Sequence, residues 1–335
     1  MKVYQIEKFG IENLRVSDVD LPSPAAGEVL IKLHAASLNY RDMMMIDGTY
    51  NPRLKLPLVP FSDGAGEVTA VGEAVTRWKV GDRVCPIFMQ GWIGGELDHK
   101  KSKTTLGGDL DGCLREFGVF HEDGLVRMPE DLSYEEASCL PCAGVTAWNA
   151  LMVSGDLKKG ESVLIQGTGG VSMFALQFAK MAGAHVIVTS SSDDKLAKAK
   201  ALGADETINY RQHEDWDKVV LELTNKRGVD HVVEVGGPGT LSRSMKAVKM
   251  AGHIAVIGVV AGAGEFTNVP IFMKALRMIG VFVGSRVMFE EMNAAIERTN
   301  TKPVIDKVFT FEKTREAIEY MRSANHFGKI VISIP

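Results

Sequence analysis

Ser162-Val163-Leu164-Ile165-Gln166-Gly167-Thr168-Gly169-Gly170-Val171-Ser172 runs from an uncharged segment, through a glycine turn, into a stretch of helical spacing. The first five residues read as a buried strand. The turn follows the pattern GxGxxG, with Ser172 in the last place. Its first glycine permits a tight bend, and its second lets a diphosphate approach the backbone. The small last residue lets helix and strand pack closely. The helix that follows presents free N–H groups and a positive dipole end to an anion. This points to a dinucleotide held by Gly167, Thr168, Gly169, Gly170 and Val171; the bland reading is a structural turn.

The surroundings favour the dinucleotide. Strands expected at 185–189, 206–209, 229–235, 253–257 and 279–283 alternate with helices at 171–182, 194–202, 215–224 and 240–249. With the strand before the turn they make six units, so an α/β class with a doubly wound parallel Rossmann sheet is expected. Phe174, Phe178 and Met181 are the expected buried stripe of the first helix. Upstream, short apolar runs alternate with Gly and Pro turns, which predicts a bent sheet or partial barrel, with one helix near residues 37–45. Ser133, Glu135 and Glu136 mark a helix start. The expected division is residues 1–132, 133–285 and 286–335. The last segment, with a helix at 313–323 and a strand at 329–334, returns to the first domain.

The ribose end predicts NADP(H). Sites that take NAD place an acid near the end of the second strand, whereas this chain has Ser190-Ser191-Ser192 there. Lys195, Tyr210 and Arg211 are candidates for a 2′-phosphate, although each is equally a solvated surface residue. Asp193 and Asp194 follow, where helix capping is the plain role.

Composition excludes several classes. A 335-residue chain suits two domains. A net charge of −4 offers no general field for nucleic acid or anionic membrane. No apolar run is long enough to span a bilayer, and the N-terminal stretch lacks an apolar signal core. Four irregularly spaced cysteines form no disulfide framework, so a cytoplasmic location is expected.

With these motifs assembled, the chain resembles the medium-chain dehydrogenase/reductase superfamily, in its zinc-independent quinone oxidoreductase and alcohol dehydrogenase-like branch. The resemblance runs through Asn39-Tyr40-Arg41-Asp42, residues 60–66, residues 140–146, residues 167–172, Val283-Gly284-Ser285-Arg286 and His326-Phe327-Gly328-Lys329. It implies a GroES-like catalytic domain built from both chain ends, a Rossmann domain between them, and a cleft where they meet. By resemblance, Thr146 sits beside the nicotinamide, and Gly328 and Lys329 approach the cofactor. Zinc-dependent relatives carry Cys at the position of Asn39, His-Glu at Ser62-Asp63, and Cys at Cys142. Only one usual ligand is left, and a catalytic zinc takes three, so no metal is expected. Residues 86–112 also lack the cysteines of a structural zinc lobe.

Without zinc, the substrate oxygen needs a donor as hydride arrives. Asn39, Arg41 and Tyr50 are the candidates: an amide donor, a positive charge and a proton source. Their plain readings are a helix cap, an ion pair with Asp42 or Asp63, and a packed lid residue. The expected activity is NADPH-dependent reduction of a quinone, an α,β-unsaturated carbonyl or an aldehyde. Reversible NADP-dependent alcohol oxidation and a crystallin-like NADPH-binding protein with little turnover are the alternatives. The apolar run at 279–283 reads as an outer strand that pairs with a second copy, giving a homodimer.

Overall fold

The computed structural model describes residues 1–258, 260, 264–265 and 267–335. Contacts divide the chain into two units, Met1–Val145 with Gly284–Pro335, and Thr146–Val283. In chain order the first unit supplies β1 (Lys2–Ile6), β2 (Leu14–Asp18), β3 (Glu28–Ser37), β4 (Asp63–Val71), β5 (Arg83–Pro86), β6 (Phe117–His121) and β7 (Leu125–Arg127). The second adds β8 (Ser162–Gln166), β9 (His185–Ser190), β10 (Glu206–Asn209), β11 (Val229–Glu234), β12 (Val248–Val256) and β13 (Arg277–Gly280). The chain then returns to the first unit with β14 (Ile305–Thr310) and β15 (Lys329–Ser333).

In the first unit the strands run β14-β15-β3-β4-β5-β7, with β6 also on β3. The ten-residue β3 is its spine. Its pairing with β4 shifts register at Leu30/Ile31 and at Leu33/Ala35. Such bulges bend a strand, so the sheet curls around Ile31, Leu33, Phe61, Val68, Phe120 and Ile332. This is the GroES-like half of the expected fold. The helix Tyr134–Ser138 starts as predicted, with Ser133 Oγ accepting from Glu136 N–H at 3.2 Å. It packs on β3 and β4. The division therefore falls at Val145/Thr146 and not at 132/133: the cap signals a helix start but carries no information about which sheet the helix covers.

In the second unit six parallel strands run β10-β9-β8-β11-β12-β13. Chain order reverses at β8, so the carboxyl end of β8 is the switch point where such sheets take ligands. In the helix Gly170–Met181, Phe174 and Phe178 are buried as the spacing predicts. Met181 is half-buried, and Met173 fills the third core place instead. The outermost strand ends at Gly280, earlier than expected, because Val283 has φ 58° and leaves the extended region. Part of the loop at 262–272, a candidate wall for substrate, lies outside the described residues. Among the described residues no helix is long and apolar enough to cross a membrane.

Candidate functional site

In the second unit, Gly167 has φ 69°, and its N–H donates to Thr189 O at 2.8 Å. A side chain there would be strained, which is why the turn opens on glycine. Ser172 Oγ donates to Gln166 O at 2.7 Å and ties the helix to the end of β8. Gly169 occupies the cap position of the helix, where no side chain accepts from its first N–H groups. The turn and the uncapped twelve-residue helix fit a dinucleotide diphosphate, which would accept those N–H bonds.

A buried network not foreseen from the sequence fixes this end of the sheet. Glu234, fully buried at the end of β11, accepts from Gln166 Nε2 at 2.7 Å and from Gly236 and Gly237 N–H at 2.9 Å each. Thr240 Oγ1 donates to it at 2.5 Å, and Ser244 Oγ also donates to it. The strands on either side of the switch point are thus clamped through one carboxylate. The only signal in the sequence is a glutamate that ends an apolar strand before a glycine pair.

At the ribose end, β9 stops at Ser190 and Ser192 caps the next helix. Ser190 is buried, and Ser191 is half-buried. Tyr210 N–H donates to Ser190 O at 3.0 Å, which brings the end of β10 beside these serines. Lys195 lies on the first turn of the helix Asp193–Ala201. Asp193, three residues past the strand, accepts from Asn209 Nδ2 at 2.7 Å and Gln212 Nε2 at 3.0 Å. Both of its oxygens are therefore engaged. Thr146 is buried in the helical stretch Val145–Trp148, flanked on both sides by π-helical turns, which recur at functional sites.

The first unit holds a second polar group of residues, at the start of the helix Tyr40–Ile46. Asn39 precedes it, and its N–H donates to Asp42 Oδ2 at 2.8 Å. The Asn39 side chain, at the N-cap of this helix, also bonds within the polar group. Its Nδ2 donates to Ser62 Oγ at 3.3 Å, and its Oδ1 accepts from Lys329 Nζ at 2.7 Å. Ser62 Oγ donates to Asp63 Oδ1 at 2.7 Å, and Cys142 N–H donates to Asp63 Oδ2 at 3.1 Å. Lys329 Nζ also donates to Leu38 O at 2.6 Å and lies 3.9 Å from Asp63 Oδ2. The turn into these acids is held in an unusual conformation: fully buried Phe61 has φ 70°, and the backbones of Gly107 and Gly112 press against it where no Cβ fits.

Arg41 lies beside this group, between the rings of Phe88 (4.8 Å) and Tyr50 (5.7 Å). It donates to Leu106 O at 3.0 Å and lies 3.4 Å from Asp42 Oδ1. Its Nε is buried and has no partner among the described residues. Tyr50 is exposed. Burial pushes the Asp42 carboxyl up to about 6 against the pull of Arg41. Arg41 thus stands beside Tyr50, and Asp42 links it to the Asn39 backbone. Gly328 immediately precedes β15, and Lys329 opens it. Gly328 has φ 85°, and a Cβ there would lie 2.3 Å from Val304 O, so it serves the turn into β15. The Lys329 ammonium is directed into the polar cluster.

A zinc ion does not fit this set of donors. The positions that would hold it offer an amide, a hydroxyl, one carboxylate and the Cys142 thiol, which burial pushes upward. An ammonium already faces the amide and the carboxylate. Among the described residues, no three His, Cys, Asp or Glu side chains converge as a metal site.

Comparison with known proteins agrees with both units. A model of the alcohol dehydrogenase GroES-like domain matches residues 25–130, and one of zinc-binding dehydrogenases matches residues 170–300. A zinc-type alcohol dehydrogenase-like protein of Schizosaccharomyces pombe is 45% identical over 336 residues, covering 98% of this chain and 97% of the relative. The quinone oxidoreductase of Rattus norvegicus is 30% identical, covering 99% and 97%. A structure from Sinorhizobium meliloti 1021, described as an alcohol dehydrogenase, is 42% identical with a TM-score of 0.93, covering 99% and 98%. One described as an NAD-dependent alcohol dehydrogenase is 34% identical with a TM-score of 0.92 over both whole chains. With these relatives and both matching domains, the chain belongs to the medium-chain dehydrogenase/reductase superfamily and is an oxidoreductase of its nicotinamide-dependent alcohol dehydrogenase and quinone oxidoreductase family.

Proposed function

We propose that the protein uses NADPH to reduce a quinone, an α,β-unsaturated carbonyl or an aldehyde, without zinc. The observation that carries this reading is the cluster of Asn39, Ser62, Asp63 and Lys329, in which an ammonium stands among the residues a metal would need. Bound NADPH supplies the hydride. The chain's own groups deal with the substrate oxygen, on which negative charge develops. Asn39 donates to it through Nδ2, Arg41 places a guanidinium near it, and the Tyr50 hydroxyl replaces the missing proton. Gly167 to Val171 and Thr146 hold the dinucleotide, and Gly328 shapes the approach to β15.

The choice of NADPH rests on the ribose end. An acid there repels a 2′-phosphate, but Asp193 is turned to Asn209 and Gln212. Ser190 and Ser191 remain at the strand end, with Lys195 close in sequence and Tyr210 beside Ser190 through its N–H. The NAD dependence of one similar structure belongs to that protein. Four free cysteines suit the cytoplasm, and the β13 edge, with Ile279 and Phe282 exposed, suits a homodimer. The test is NADPH consumption against a panel of small quinones, enones and aldehydes, run in parallel with NADP and primary alcohols. Turnover only in the alcohol direction, or none, refutes the proposal.

A further inference from the structure

Lys329 is 3% exposed; its ammonium donates to Leu38 O at 2.6 Å and Asn39 Oδ1 at 2.7 Å and lies 3.9 Å from the Asp63 carboxylate. A lysine ammonium has three donors and no acceptor. It can face only the oxygen end of an amide. This settles the orientation of Asn39, which packing alone leaves open because the two ends of an amide are nearly the same size. With the oxygen held by Lys329, the N–H₂ end is turned away from it. One of its hydrogens goes to Ser62 Oγ at 3.3 Å. The other is left for an incoming oxygen, and Asn39 is half-buried, not sealed.

We propose that Lys329 is a positioning residue that makes Asn39 a donor to the substrate carbonyl. The proposal rests on the carbonyl-reduction reading and deepens it. The neighbouring charges support it. Asp63 accepts from Ser62 and from Cys142 N–H, so its charge is spread over donors besides Lys329. Asp42 takes the Asn39 N–H and pairs with Arg41. Among the described residues, no carboxylate accepts from Asn39 Nδ2. Without Lys329 the amide oxygen loses its inward donor, and the flipped amide presents that oxygen to the substrate, where it repels a developing oxyanion. Leu38, Asn39 and Asp63, the partners of the ammonium, all lie in the first unit.

The test is a double-mutant cycle with Lys329→Met and Asn39→Ala, each read by kcat, by KM and by NADPH affinity from fluorescence titration. Lys329→Met is expected to lower kcat about ten- to a hundredfold, less than the roughly 10²–10³-fold for outright loss of an oxyanion donor because Asn39 itself remains, and to leave NADPH affinity within about twofold. In the Asn39→Ala background the same change is expected to cost little further, because the two residues act as one. Additive losses, or weakened NADPH binding with kcat kept, overturn the proposal. Asn39→Asp guards against misfolding: it keeps an acceptor for Lys329, loses the N–H₂ donor, and is expected to fold with the low kcat. A second readout is independent of activity. The Asn39 side-chain amide protons, identified by their loss in Asn39→Ala, are expected to shift and exchange faster with water in Lys329→Gln. If they do not move, the positioning role is refuted even if no substrate is found. If they move and no carbonyl is reduced, the positioning stands and the proposed function fails.

Discussion

Replacing Asp42 with Asn is expected to make the protein relatively more stable at neutral pH and to gain nothing in acid. Asp42 is 1% exposed, and burial raises its carboxyl from 3.8 to about 6, with Arg41, Lys329 and the Asn39 N–H pulling it down and Asp63 pushing it up. A carboxyl whose folded value lies above its unfolded value keeps its proton longer in the folded state. Between about pH 4 and 6 the folded chain therefore binds more protons than the unfolded one. Raising the pH through that window lowers the free energy of unfolding. At 1.36 kcal/mol per unit, the raised value corresponds to about 3 kcal/mol of lost stability at pH 7, fully absent below about pH 4. Asn at this position cannot ionise, yet it still offers an oxygen to the Asn39 N–H. Urea unfolding of both proteins from pH 3.5 to 8 measures the difference directly, and all other titrating groups cancel in it. The wild-type value minus the variant value is expected to fall by about 3 kcal/mol across the window and to be flat above pH 7. A difference that is constant, or that rises with pH, refutes the reasoning.

Cofactor choice is expected to favour NADPH in kcat/KM by about 10- to 1,000-fold, from one or two charged hydrogen bonds at the 2′-phosphate; equal use of NADH by the wild type counts against it. Lys195→Ala is expected to reduce that ratio, and an unchanged ratio removes Lys195 from the phosphate site while leaving the preference intact. Elemental analysis of the purified protein is expected to find less than one equivalent of zinc, with activity kept in chelator; one tightly bound equivalent whose removal stops turnover would show the metal-free reading wrong. Light scattering at micromolar concentration is expected to give twice the 36.4 kDa chain mass, and Ile279→Lys on the β13 edge is expected to halve it; a wild-type monomer refutes the pairing of that edge.

The turn after β8 was legible because three local signals coincide there: an uncharged strand, a glycine at a left-handed position, and a helix that opens without a side-chain cap. The alternation of strands and helices carried the rest of the second unit. The helix Arg286–Thr299 was not foreseen, although Ser285 caps it and Phe289, Met292 and Ile296 form its buried stripe; its many polar residues dilute the stripe. β14 was missed as well, because Ile305–Thr310 mixes charges with apolar residues and is defined mainly by pairing with β15. Asn39, Arg41 and Tyr50 lie within twelve residues of one another, so one motif could suggest all three. The place of Lys329 was hidden, since Leu38 lies 291 residues away in the chain, and no local pattern encodes such a pairing.

β15 lies between β14 and β3 in the sheet of the first unit, and this ordering matters while the chain is being made. The half of β3 from Ala35 to Ser37 pairs with Val331 to Ser333 on that side. At about 5–20 residues per second, roughly 15–60 s of synthesis separate the two strands. In that interval the edge of β3 is uncovered, and such an edge invites wrong partners. The second unit, a single continuous segment from Thr146 to Val283, has its whole sequence available earlier. The glycine turn after β8 therefore leaves the ribosome before the polar cluster can be completed, and the ammonium of Lys329 is the last charge to enter that cluster. A ribosome that stalls shortly before this lysine leaves a chain with the whole sequence of the second unit but without the ammonium of the first unit's polar cluster.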